Sequence, residues 1–355
     1  MLGYNRLYNG YKRKQTMKKI FVNYFFTALL IAVTIGILTS SSKFSIIPHL
    51  IAITDGGLLF LAFVCMVLFW FFDALIIKVI IEISNQGISF WRYMKIALIG
   101  QYYGSITPFS GGGQPVAQVY TMKNDYKIPL GLATSVTINK FAVYHIIVTA
   151  FALIMAIFKY DFIFEQGTVS KTFIAIGFII NIISTLAMLL LCYNSSIVKK
   201  VCLLILRLLH KIKLARNIDD QIFSRHIEEY RSSLRLFLRD RKALLLTCLY
   251  TLIQVIVYFC VTYFVYLSFG LRDASLLDIL AVQSLHYMAI NYIPTPGNAG
   301  ASEGGFYLIF GLVFPSSVMI YAIMLWRFIV YYLNLFVSGM VVLIDYLYKQ
   351  SLKKL

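Results

Sequence analysis

Apolar residues run almost unbroken over 20–40, 57–82, 130–158, 172–193, 243–268 and 318–346. Each run reaches the roughly 20 residues that a helix needs to cross a bilayer. Between the second and third runs, and again between the fifth and sixth, the pattern breaks. Residues 91–125 and 275–314 each hold an apolar helix-like run, a Gly/Pro loop and a second short run. Neither piece is long enough to cross alone. The pattern predicts an all-α polytopic integral membrane protein with about six full spans and two re-entrant broken-helix pairs. The run at 20–40 does not read as a cleavable signal, because no small-residue cleavage site follows and another apolar run comes soon after.

The two breaks resemble each other. Residues 107–118 read TPFSGGGQPVAQ and carry Gly111, Gly112, Gly113 and Pro115. Residues 295–306 read TPGNAGASEGGF, and the break around them carries Pro294, Pro296, Gly297, Gly300 and Gly304. Further along, NKFAVYHI at 139–146 matches WRFIVYYL at 326–333, at nearly the same separation. Lys140 then corresponds to Arg327 and Tyr144 to Tyr331. The span before the first break and the span before the second cross in opposite directions, so the repeat is expected to be inverted. Its halves are about 57–158 and 243–346. Irregular backbone at membrane depth is tolerated only where protein or a polar cavity covers it. Paired breaks in corresponding halves point to a transport site. Helices restarting after Pro115 and near Ser302 would aim N–H groups inward, where they favour anions such as a lipid phosphate.

Charge sets the orientation. The net charge of the 355-residue chain is +17. Lys and Arg number six in the tail 1–19, four in 82–128, twelve in 194–242 and three at the C-terminus. The opposite side holds Lys43, Lys159, Lys171 and Arg272. The positive-inside rule therefore places both termini in the cytoplasm and accounts for the basic residues without nucleic acid. The five cysteines lie in or beside apolar runs with no metal-type pairing, and neither a metal nor a cofactor is expected.

Lys78, Lys140 and Arg327 remain within the membrane. Lys78 lies near the cytoplasmic end of its span, where it can snorkel. Lys140 and Arg327 lie about ten residues into theirs. Ionisable groups at that depth are costly, and by default mark function or a buried pair. Lys140 could pair with Asp73, and Arg327 with Glu303. Glu303 could instead complement a half-helix dipole or bind a cationic headgroup. Gln114, Gln118, Asn298, Tyr144, Tyr331 and Tyr332 are further candidates for the cavity wall. His145 and His286 read better as satisfied interior histidines than as zinc ligands or a proton relay. GASEG with His286 only faintly suggests an intramembrane serine protease.

The segment 194–242 contains a stretch in which Ile218, Ile222, Ile227, Leu234 and Phe237 recur at roughly helical spacing. It reads either as an amphipathic helix on the inner leaflet or as a connector helix.

GGGQPVAQ, NKFAVYHI and PTPGNAGASEGGF together resemble the transmembrane flippase-like domain of lysylphosphatidylglycerol synthase, the multiple peptide resistance factor. The resemblance covers nearly the whole chain, about 15–348, within a transmembrane domain of 20–348. It implies a bacterial-type cell membrane, a role in lipid metabolism and antibiotic resistance, and movement of lysylphosphatidylglycerol or a related phosphate-bearing lipid between leaflets. It implies a membrane phospholipid as partner, and a separate lipid-synthesising enzyme as a possible one. Lys140 and Arg327 would hold the phosphate, and Glu303 with Asp73 the ammonium groups. No soluble synthase domain is expected in the sequence, so aminoacyl transfer is not, although homology could lend it the lysyltransferase name. A polyprenyl-phosphate carrier translocase and a non-transporting scaffold are the other readings.

Overall fold

The structure is a computed structural model and describes residues 52, 54–107, 112–164, 168–193, 220–291, 293 and 295–352. The expected first span, the basic tail and most of the front of the basic linker lie outside these residues. Every regular element among the described residues is helical. In chain order they are α1 (Gly56–Glu82), α2 (Phe90–Ile106), α3 (Gly113–Tyr126), α4 (Leu130–Phe158), α5 (Tyr160–Phe164) and α6 (Thr168–Tyr193). There follow α7 (Asp220–Arg239), α8 (Arg241–Ser268), α9 (Leu276–Ile290), α10 (Ala301–Phe310), α11 (Met319–Arg327) and α12 (Asn334–Leu352). A π-helical stretch, Phe328–Leu333, joins α11 to α12 into one rod, Met319–Leu352.

Four of these, α1, α4, α8 and the α11–α12 rod, are long and apolar enough to cross a membrane. Helix α6 is continuous over 26 residues, with its apolar part at Ala175–Ala187. Long apolar side chains such as Phe60, Ile157, Ile183, Leu245 and Ile344 stand on the outside of the bundle. In water that would be a liability, whereas against acyl chains it is the stable arrangement. Local chemistry fixes the helix ends. The Asp55 carboxylate accepts the Gly57 and Leu58 N–H groups at 2.8 and 3.2 Å, and Asp240 accepts that of Ala243 at 3.0 Å. Ser275 and Asp278 form a capping box on α9.

The repeat expected from the sequence is present in the order of elements. The helices α1, α2, α3 and α4 start at Gly56, Phe90, Gly113 and Leu130; α8, α9, α10 and α11 start at Arg241, Leu276, Ala301 and Met319, 185 to 189 residues later. The equivalent helices α1 and α8 pack along their length, and the Asp55 N–H donates to the Ser268 carbonyl at 2.9 Å. The start of α1 therefore meets the end of α8, and the two run antiparallel.

Side-chain contacts sort the ends onto two faces. On the first face Lys95, near the start of α2, pairs with Asp125, at the end of α3, at 3.8 Å and also with Asp345 on α12. Lys349 closes the cluster at 2.6 Å from Asp125 and 2.8 Å from Asp345. The α2–α3 pair thus enters and leaves on one face. On the other face Lys159, at the end of α4, pairs with Asp278, at the start of α9, at 2.9 Å. Phe314, just past α10, packs edge-on against Tyr266 near the end of α8, whose hydroxyl accepts the Ala274 N–H at 2.9 Å just before α9. The α9–α10 pair therefore enters and leaves on the opposite face. The broken pairs dip into the bundle from opposite sides, as the inverted pattern requires.

Helix α7 packs on α4 rather than presenting its whole apolar stripe outward. Tyr230, Leu234 and Phe237 are buried, and Phe237 joins the core of α1, α2 and α4. Glu229 accepts the Gly131 N–H at 3.2 Å, and a Cβ on Gly131 would lie 2.2 Å from that of Glu229. This part of the linker behaves as a docked connector. Ile218, and the side chains of Ile222 and Ile227, lie outside the description.

Candidate functional site

Each break is held by its own polar clasp. At the first, the Thr107 hydroxyl accepts the Gly113 N–H at 2.8 Å and donates to the Tyr103 carbonyl at 2.7 Å. One side chain thereby ties the end of α2 to the start of α3 and satisfies a donor that the restarting helix leaves free. Helix α3 begins at Gly113, so Pro115 sits inside its first turn rather than before it, where its missing N–H costs nothing. Gly112 is the exposed N-cap residue. Gly111 lies outside the described residues.

At the second break Pro296–Asn298 forms a single 3-10 turn, with Gly297 at φ 58° and Asn298 at φ 53°. A Cβ on Gly297 would lie 2.3 Å from the Tyr331 ring, so both the backbone angle and the close approach demand glycine. Gly300 adopts φ 82°, and its N–H donates to Glu303 Oε2 at 2.7 Å. Arg327 closes the clasp. Its Nη2 donates to the Gly297 carbonyl at 2.6 Å, and its Nε lies 2.9 Å from Glu303 Oε1, a close ion contact with the N–H directed off the hydrogen-bond line. The guanidinium sits 4.2 Å from the centre of the Tyr331 ring. Gly304 is exposed on the first turn of α10, where its N–H donates to the Gly300 carbonyl at 2.9 Å and a Cβ would meet nothing. Pro294 lies outside the described residues.

Tyr331 joins the two breaks. Its hydroxyl donates to the Ser105 carbonyl at 3.2 Å, two residues before the first break, while its ring packs on Gly297 in the second. Asn334 reinforces the link, donating to Ser105 Oγ at 3.1 Å and accepting from Trp70 Nε1 at 2.7 Å. Both residues hang on the π-helical stretch or directly after it. A π turn holds an extra residue and often marks a working position. The matching segment of the first half, within α4, is ordinary α-helix.

Lys140 is buried beside Asp73, with Nζ 2.6 Å from Oδ1. The same oxygen accepts from Gln254 Nε2 at 3.3 Å, and Lys140 also donates to Gln118 Oε1 at 3.3 Å. Asp73 Oδ2 is buried with no hydrogen-bond partner. Such an orphan is unusual and asks for an explanation.

These groups surround one cavity of about 190 Å³ between the breaks. The first half supplies Asp73, Gln101, Ser105, Gln114, Lys140 and Tyr144; the second supplies Gln254, Gly297, Asn298, Ser302, Arg327 and Tyr331. Of the residues expected on the wall, Gln118, Glu303 and Tyr332 are not on it: Gln118 stands behind Lys140, packed on Gly100, where a Cβ would lie 2.5 Å from its amide nitrogen, Glu303 stands behind Arg327, and Tyr332 packs on the cluster of Tyr102 and Leu335. Gln114 and Ser302, the second residues of α3 and α10, bring both restarting helices to the cavity. Two cations and two carboxylates balance each other here. His286 is fully buried among Phe306, Phe310 and Trp326, and its Nε2 meets the Ser302 carbonyl at 3.0 Å rather than a serine hydroxyl. No group of three metal-ligating side chains occurs among the described residues.

Gln254, Asn334, Ser105 and the wall aromatics Phe69, Tyr258 and Tyr287 were not singled out in the sequence. Neither was Asn181, whose Nδ2 donates at 2.8 Å to the Met288 carbonyl close to the end of α9. A polar amide inside an apolar span was a signal that could have found Gln254, Asn334 and Asn181.

Residues 21–338 match the family described as the lysylphosphatidylglycerol synthase TM region. A UPF0104 membrane protein of Archaeoglobus fulgidus is 27% identical over 287 residues, covering 79% of this chain and 84% of the relative. The chain belongs to the lysylphosphatidylglycerol synthase transmembrane-region family, and it is a multi-pass membrane protein.

Proposed function

We propose that this member of the family moves a phospholipid between leaflets, taking the headgroup through the cavity between the breaks while the acyl chains stay in the bilayer. One observation carries the reading: two broken helix pairs, entering from opposite faces, converge on one partly open cavity with a cation from each half on its wall. That arrangement matches the needs of alternating access, in which one site is exposed to each side in turn. At about 190 Å³ the cavity suits a headgroup and not a whole lipid.

The Arg327 end suits a phosphate. Arg327 and the start of α10 at Ser302 lie there, and the buried Trp326 indole N–H has no acceptor. Charge-assisted contacts of this kind are worth roughly 1.5–3 kcal/mol each. Lysylphosphatidylglycerol is the cargo that the family name suggests. The basic first face is cytoplasmic in this reading, with both termini on that side. Aminoacyl transfer by these spans is not part of it, and any lipid-synthesising partner would be a separate catalytic unit. The test is purified protein in vesicles with a leaflet-specific lipid assay. Lipid crossing above that of protein-free vesicles supports the reading; none, from folded protein, removes it.

A further inference from the structure

Equivalent helices meet across the boundary between the halves twice. Helix α2 packs on the α11–α12 rod, and its counterpart α9 packs on α4, the counterpart of the rod. Both interfaces reach the cavity: Ser105 and Tyr331 line it from the first, Tyr287 and Tyr144 from the second. Towards the starts of α2 and α9, ten and nine residues back and roughly 15 Å away, each interface ends in charge. On the first face Lys95 of α2 pairs with Asp345 of the rod. On the second face Asp278 of α9 pairs with Lys159, at the end of α4, at 2.9 Å. Lys159 and Asp345 are 186 residues apart and Lys95 and Asp278 are 183 apart, against 185 to 189 for the helix starts. The two pairs are therefore equivalent to within one helical turn, with their signs exchanged. The first is doubled by Lys349 of the rod on Asp125 of α3, at 2.6 Å.

We propose that these ion pairs are the two gates of the cavity, and that each must part for the cavity to open on its own face. The inference rests on the translocation reading and adds which contacts govern access. Every pair joins one half to the other: Lys95, Asp125 and Lys159 stand on helices of the first half or at their ends, Asp345, Lys349 and Asp278 on helices of the second. A movement between halves that opens one face must break the contact there and can keep the other. Exposure suits this duty. The gate side chains are 11–41% exposed, whereas those of the Lys140 and Arg327 pairs are 1–9% exposed. Water can take over the charges of a parted surface pair, so parting costs little. A deep pair has no such substitute and holds. Asp278 also divides its work. Its Oδ1 faces Lys159, while its Oδ2 accepts the Ser275 N–H at 2.9 Å, so the gate can open without unwinding the start of α9.

The experiment puts a reporter, Gln114→Cys, on the cavity wall of the full chain with its five native cysteines changed to alanine. A membrane-impermeant thiol reagent is applied to intact cells and, separately, to inside-out membrane vesicles. Lys159→Gln should raise labelling from one side, and Lys95→Gln with Lys349→Gln from the other, each by about two- to fivefold, as loss of an exposed ion pair allows. Lys159→Arg should leave labelling as it was. Should a gate variant not fold, Asp278→Asn, or Asp125→Asn with Asp345→Asn, removes the same contacts and keeps the α9 cap. Labelling raised from the same side by both variants, or left unchanged by either, would overturn the gates. Lipid movement is followed in parallel with Gln114 in place. Opposite-sided shifts without lipid movement would sink translocation and leave the gates standing. Lipid movement without the shifts would do the reverse.

Discussion

Lys140 Nζ lies 2.6 Å from Asp73 Oδ1, and both side chains are almost completely buried. Removing one partner of such a pair leaves an uncompensated charge, which costs about 3–5 kcal/mol. Lys140→Gln alone, or Asp73→Asn alone, should therefore lower thermal stability clearly. The double variant should recover most of the loss. A double-mutant cycle in detergent measures this, and additive losses would show that the pair is not coupled.

Gly297 should tolerate no side chain. Gly297→Ala meets both a positive φ and the Tyr331 ring. Overpacking of this kind costs about 1–3 kcal/mol. The Arg327 clasp on its carbonyl should loosen as well. A melt showing natural stability would contradict the account of the second break.

Thr107 should act as the first clasp. Thr107→Val keeps the shape and deletes both hydrogen bonds, at a cost of about 0.5–2 kcal/mol. Thr107→Ser should restore them. Equal melts for valine and serine would show that the hydroxyl is idle.

Tyr331→Phe tests the bridge between the halves. It removes the bond to the Ser105 carbonyl, worth about 0.5–1.5 kcal/mol, and leaves the ring on Arg327. The expected outcome is a small loss of stability with a larger change in the rate of lipid movement. Unchanged rates would remove the bridge from the transport cycle.

The sequence carried the span pattern, both breaks and the offset between halves, because hydropathy and Gly/Pro punctuation are local signals. The partners of Lys140 and Arg327 were legible too, since a buried charge needs a counter-charge and few carboxylates were in reach. The π-helical stretch after Arg327 was not, because NKFAVYHI and WRFIVYYL differ in no residue that dictates an extra turn residue. Nor were the wall rings Phe69, Tyr258 and Tyr287, in a chain with 28 phenylalanines and 25 tyrosines. Only the crossing of α1, α8 and α9 singles out those rings. Gln118 follows the cavity-lining Gln114 by one helical turn on the same inward face, and only its packing on Gly100 and Lys140 shows that it stands a layer behind the wall.

Orientation has its own test. Asp220→Cys, on the basic linker, should resist a membrane-impermeant thiol reagent on intact cells and react after lysis. Labelling of intact cells would put that linker outside and overturn the proposed orientation.

The central claim is that lipid passes through the cavity between Lys140 and Arg327. Its most direct measurement is leaflet-resolved lipid movement in vesicles holding the natural protein, Arg327→Gln, or the stability-restored Lys140→Gln/Asp73→Asn double variant, each with a melt to count folded molecules. Movement should be present with the natural protein and fall by about tenfold or more per folded molecule in both variants, as lost charge-assisted contacts of roughly 1.5–3 kcal/mol require. Natural rates per folded molecule in both variants would contradict the account.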